Sequence, residues 1–147
     1  MIKLIVVGKM NHKYLNQGIE YYSKQLPQKL KIIEVKDGKN EQAKHDEGKD
    51  ILKHIDSGDY VIGMAIEGKS FTSEEFSSKL ENLLMHQHKN IVFVIGGSYG
   101  FSNEVYHRAN ECVSFSKMTF PHQLMRLIFI EQLYRAFMIM KNHPYHK

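Results

Sequence analysis

Asn90-Ile91-Val92-Phe93-Val94-Ile95 runs without a break into Gly96-Gly97-Ser98-Tyr99-Gly100. A continuous apolar run closed by glycines reads as a strand buried on both faces, as in a parallel sheet. In open parallel sheets, ligands bind beyond the carboxyl ends of the strands. A glycine-rich turn at that place lets main-chain amides and carbonyls approach a nucleotide-like ligand closely. The turn is neither G-x-G-x-x-G nor a phosphate-binding loop with its Lys-Ser/Thr pair. Taken alone, it reads equally as a plain tight turn.

The pattern upstream agrees with a parallel sheet. Residues 2–8, IKLIVVG, form another apolar run ended by glycine. Residues 30–36 and 59–66 have strand character, and residues 112–115 make a short fifth strand. Helical spacing of apolar residues falls between them: Tyr14, Leu15, Ile19, Tyr22 and Leu26 before Pro27, then Ile51, Leu52 and Ile55. A third helix follows Ser73, its expected N-cap, with Phe76, Leu80, Leu83 and Leu84 on one face. A short one covers 103–109, and Pro121 opens a last helix in its first turn, running to about Met140. Alternating strands and helices indicate an α/β fold, a mostly parallel sheet with helices on both faces, in one domain covering 1–147.

Composition excludes other classes. The 147 residues are 42% hydrophobic and 24% charged, within the range of soluble globular domains. The lone Cys112 cannot close an intrachain disulfide. No apolar run reaches membrane-spanning length, and the start of the chain lacks the features of a signal peptide, so the expected address is cytoplasmic. The net charge is +4. The positive excess is concentrated after residue 90, where all three arginines lie (Arg108, Arg126, Arg135); that suits an anionic partner such as RNA and also ordinary solubility.

Three further segments stand out. Ser114-Phe115-Ser116-Lys117-Met118-Thr119-Phe120-Pro121-His122 is a polar and aromatic loop before the last helix. It offers main-chain amides and the hydroxyls of Ser116 and Thr119, and it also reads as a helix start capped by Thr119 or Phe120. The last helix, PHQLMRLIFIEQLYRAFMIM, is apolar around most of its circumference. It requires either a second subunit or a central place in one chain. The tail Asn142-His143-Pro144-Tyr145-His146-Lys147 carries rings and charge suited to stacking on bases and meeting phosphate. Its His-x-x-His pair alone makes no closed metal site, and no metal is expected.

Taken together, the order IGG-x-x-G, S-x-x-T-x-P-H, E-Q-L-Y-R-A and H-P-Y-H resembles the RlmH (YbeA-like) family of ribosomal RNA large-subunit methyltransferases, within the SPOUT superfamily. The resemblance covers essentially the whole chain. It implies a C-terminal trefoil knot, which ordinary connection rules would not suggest. It also implies a homodimer, bound S-adenosylmethionine and no membrane association. The implied reaction is N3-methylation of pseudouridine 1915 in the helix 69 loop of 23S rRNA, on the assembled 70S ribosome. The alternative is a non-catalytic ribosome- or RNA-binding paralogue of the same fold.

By the same resemblance, cofactor contacts fall on Met64, Gly97 and Ser116, Lys117, Met118, Thr119, Phe120 and Pro121. The family often has Leu where Met64 stands, and segment 37–50 looks shorter than in relatives. For the chemistry, a basic group must stabilise the base as it loses its N3 proton. Arg135 suits that role, with His122 and His146 as proton acceptors. His143, Tyr145 and His146 are the expected substrate contacts.

Overall fold

The structure, a computed structural model, describes every residue except Gln87. Five strands form one sheet: β1 (Ile2–Val7), β2 (Leu30–Val35), β3 (Tyr60–Ser70), β4 (Ile91–Ile95) and β5 (Glu111–Ser114). Their order across the sheet is β2-β1-β4-β3-β5, and every neighbouring pair is parallel.

Alternation along the strands divides the core. Ile2, Leu4, Val6, Ile91, Phe93 and Ile95 face one side, with α1 (Lys13–Ser23), α3 (Ser73–Met85) and α5 (His122–Met140). Ile5, Val7, Val92 and Val94 face the other, with α2 (Ala43–Leu52) and α4 (Asn103–Arg108). The central strands β1 and β4 are therefore apolar at every position but Lys3, because their faces are covered by helices. Fully burying each large side chain contributes roughly 1.5–3 kcal/mol.

The last helix takes the central course. α5 packs against both α1 and α3, and Phe129 meets Phe93 with ring centroids 4.7 Å apart. Phe129, Ile130 and Leu133 are wholly buried within one chain. Leu124, Leu127 and Ile128 are only half-buried. One subunit thus covers most of the apolar circumference and leaves a strip near the helix start partly open.

Three local features depart from the sequence reading. Thr72, not Ser73, caps α3: its hydroxyl accepts from Glu75 N at 3.0 Å while Glu75 Oε1 accepts from Thr72 N at 2.8 Å. Pro121 stands one place earlier than expected, as the N-cap of α5, and its carbonyl accepts from Met125 N. β3 does not end near 66. After Met64 pairs with Val113, the register slips, and Lys69 and Ser70 rejoin β5. The intervening residues 65–68 form a bulge, which redirects side chains.

Candidate active site

β3 and β4 are neighbours, yet the helices that follow them cover opposite faces of the sheet. A crevice must open between the ends of such strands. It is occupied by a cavity of about 610 Å³, in the range of small-ligand sites.

The first wall is the β3 bulge, which contributes Met64, Ala65, Ile66 and Glu67. The second is the glycine turn. Gly100 N donates to Gly97 O at 3.1 Å, and Gly100 has φ +80°, a conformation that favours glycine. A Cβ on Gly97 would lie 3.0 Å from Val7 Cγ1, so the turn sits hard against the sheet there. Phe101 and Tyr106 stand behind it, edge to face at 5.4 Å.

The third wall is the loop into α5. Ser114 Oγ donates to Ser116 O at 2.9 Å, and Ser116 Oγ accepts from Met118 N at 2.9 Å. These bonds fix the turn of the loop beside the cavity. Met64, Gly97, Ser116, Met118, Thr119, Phe120 and Pro121 all line it. Lys117 does not; it is exposed on the outer side of the loop.

His122 also lines the cavity. Burial, and then the Arg126 charge one turn on, hold its imidazole below the ordinary 6.5, so the neutral ring prevails near neutral pH. Arg126 itself is 2% exposed. It donates to Val7 O at 2.8 Å, Gly8 O at 2.7 Å and Glu34 Oε2 at 3.0 Å, fastening α5 to the end of β1.

The remaining sequence candidates gather elsewhere. Asn142 takes the left-handed φ of 55°, His143 N donates to Met138 O at 2.9 Å, and the tail turns back along α5. Tyr145 OH donates to Glu131 Oε2 at 2.7 Å, and its ring lies 4.7 Å from that of Tyr134. Burial and the Glu131 carboxylate push the Tyr145 phenol well up. The Arg135 guanidinium lies over the Tyr145 ring at 4.8 Å and donates to His146 Nδ1 at 3.0 Å. The tail is thus a packed cluster, and the ring surface of Tyr145 is engaged by the chain itself. His143 stays exposed, its Nδ1 accepting from Tyr145 N.

Arg135 and His146 do not line the cavity. Thirteen positions separate His122 from Arg135 on α5, roughly 20 Å of helix. The structure therefore brings His122 to the cavity and places Arg135, Tyr145 and His146 near the other end of α5.

The sequence reading missed Glu67 and Tyr106. Tyr106 OH donates to Glu67 Oε1, and burial followed by this bond raises the phenol to about 12. The two are 39 residues apart and carry no motif; only the bulge in β3 brings them together. Among the described residues, no group of three or more His, Cys, Asp or Glu side chains is placed to hold a metal ion. No described helix is long and apolar enough to cross a membrane.

The likeness to known proteins runs over nearly the whole chain. A family model described as "Predicted SPOUT methyltransferase" matches residues 1–146. The chain belongs to the SPOUT methyltransferase family. Membership in that family brings the knotted form of the α/β fold that the resemblance implied. The chain is 48% identical to the ribosomal RNA large subunit methyltransferase H of Enterococcus faecalis and 50% identical to that of Leuconostoc mesenteroides, with 99% of each chain covered. A ribosomal RNA large subunit methyltransferase H 1 from Clostridium perfringens is also 50% identical over 99% of both chains. Among solved structures, a probable methylase family protein from Haemophilus influenzae shares the fold, with a TM-score of 0.57 and 14% identity over 96% of this chain and 66% of that one.

Proposed function

We infer that this SPOUT chain transfers the methyl group of S-adenosylmethionine to N3 of pseudouridine 1915 in the helix 69 loop of 23S rRNA, on the assembled ribosome. The observation that carries this reading is the full-length likeness to large-subunit methyltransferases H, joined to a ligand-sized cavity at the ends of β3, β4 and β5. The cytoplasm is the address that goes with such a substrate.

The residues present suit the donor. Met64 and Ile66 offer apolar contact to an adenine face, and the main chain of Gly97, Ser116 and 118–120 offers groups for its edge. Glu67 supplies a carboxylate at the wall, suited to ribose hydroxyls or to positive charge. When bound, S-adenosylmethionine supplies an electrophilic methyl on a sulfonium, which a nitrogen displaces in line from about 3 Å.

The chain's own groups do the rest. His122, neutral and at the cavity, accepts the N3 proton. Arg135 stabilises the negative charge left on the base. Within one protomer the two stand too far apart to act on one nucleobase. A homodimer with α5 of each copy running antiparallel sets the tail of one copy beside the cavity of the other, and we propose it as the working unit. The half-buried Leu124, Leu127 and Ile128 supply apolar surface for that contact.

Calorimetric titration with S-adenosylmethionine tests the cavity. Saturable heat in the micromolar range is expected. Absence of binding would overturn the enzyme reading and favour a non-catalytic RNA binder.

A further inference from the structure

Glu74 stands in the first turn of α3, 72 residues from the tail, yet its carboxylate meets His146 Nε2. On the other edge of the same ring, Arg135 Nη1 lies 3.0 Å from Nδ1. A guanidinium has donors and no acceptor, so Nδ1 must offer its lone pair. The ring proton then sits on Nε2, where Glu74 accepts it.

Arg135 is fixed on its remaining side. Its Nε and Nη2 donate to Glu131 at 3.4 and 2.7 Å, and Tyr145 OH donates to the same carboxylate. Three of the five guanidinium N–H groups are thereby committed. One on Nη1 and one on Nη2 remain, the fork that grips paired or adjacent acceptors.

We propose that Glu74 is a positioning residue for methyl transfer: acting through His146, it locks Arg135 so that the two uncommitted N–H groups are held for the anionic nucleobase. The proposal rests on the role given to Arg135 above. It also reassigns His146. A ring that donates at Nε2 and accepts at Nδ1 has no lone pair left for the substrate proton, so His146 clamps, and His122 is the uncommitted imidazole.

The groups around this ring are Arg135 and Glu131 from α5, Glu74 from α3, and the Tyr145 hydroxyl, to which Tyr22 of α1 is bonded.

The experiment uses the full-length protein, undermodified ribosomes and the variants Glu74→Gln and Glu74→Ala. Glu74→Gln keeps an acceptor for the Nε2 proton and should retain most of kcat. Glu74→Ala should lower kcat about tenfold, a loss of the size that a misplaced group produces, while affinity for S-adenosylmethionine and Tm stay near wild type. Nitrogen NMR of the labelled imidazole should find the His146 proton on Nε2, with Nδ1 accepting, in the wild type. A proton on Nδ1, or an active wild type whose Glu74→Ala variant keeps the same kcat, would overturn the proposal alone. A wild type that neither binds S-adenosylmethionine nor transfers methyl would overturn both the proposal and the reading beneath it.

Discussion

Arg126 shows how much one side chain can carry. Its three bonds tie the start of α5 to the end of β1, and its burial withdraws a charge from water. Removing it leaves the carbonyls of Val7 and Gly8 without that donor and Glu34 without its partner. Arg126→Ala should cost about 3 kcal/mol, read as a lower urea midpoint; the estimate sits at the low end because Glu34 keeps some contact with water. His122, one turn earlier, gives a pH signature. Its folded pKa lies below the ordinary 6.5, so the unfolded chain takes up the proton first as pH falls. Stability should be full above that value and decline as pH drops below it toward the depressed folded pKa, while His122→Gln should flatten the decline in the denaturation midpoint. At this scale the sequence was only partly informative. Met64, Gly97 and the loop 116–121 were reached only through the family resemblance, and of these all but Lys117 line the cavity. The burial of Arg126 was not legible, because it depends on the reach of a guanidinium to carbonyls more than a hundred residues away in sequence.

Among the elements, the strands were the easiest to read. A strand covered on both faces must be almost wholly apolar; IVFVI is apolar throughout, and IKLIVV breaks only at Lys3 near its start. The far half of β3 was hidden because Ile66-Glu67-Gly68-Lys69-Ser70 has neither a continuous apolar run nor clean alternation. It rejoins β5 only by way of the bulge, and the bulge builds one wall of the cavity. Gly68 is the point of closest approach: a Cβ there would lie 2.7 Å from both Cys112 C and Val113 N. Gly68→Ala must push the two strands apart. It should cost roughly 1–3 kcal/mol by overpacking, read as a lower Tm, and should weaken S-adenosylmethionine binding as the wall shifts. The start of α3 was legible to within one residue, since Thr72 and Ser73 are both capping types and only the bond to Glu75 N separates them; the start of α2 was not, because the polar run 37–50 carries no such signal.

For the molecule as a whole, the alternation of strand and helix predicted the layers, and the motif order predicted the family. Strand order and the separation of His122 from Arg135 needed coordinates, because each depends on which long-range neighbours the chain selects. That separation makes a prediction about assembly. A cavity-blocking variant, Thr119→Trp, and a tail variant, Arg135→Ala, should each be inactive alone. Mixed and allowed to exchange subunits, they should regain activity, since one site then joins an intact cavity to an intact tail. No recovery after verified exchange would place the whole site within one chain.

The central claim is that the cavity presents a methyl donor to a nucleobase of the large ribosomal subunit. Its most direct test is transfer of labelled methyl from S-adenosylmethionine to ribosomes lacking the N3 mark, with and without prior conversion of the target uridine. Label should enter 23S rRNA at helix 69, close to one methyl per ribosome, and only after the conversion. No incorporation into competent ribosomes, or equal labelling of both preparations, would contradict it.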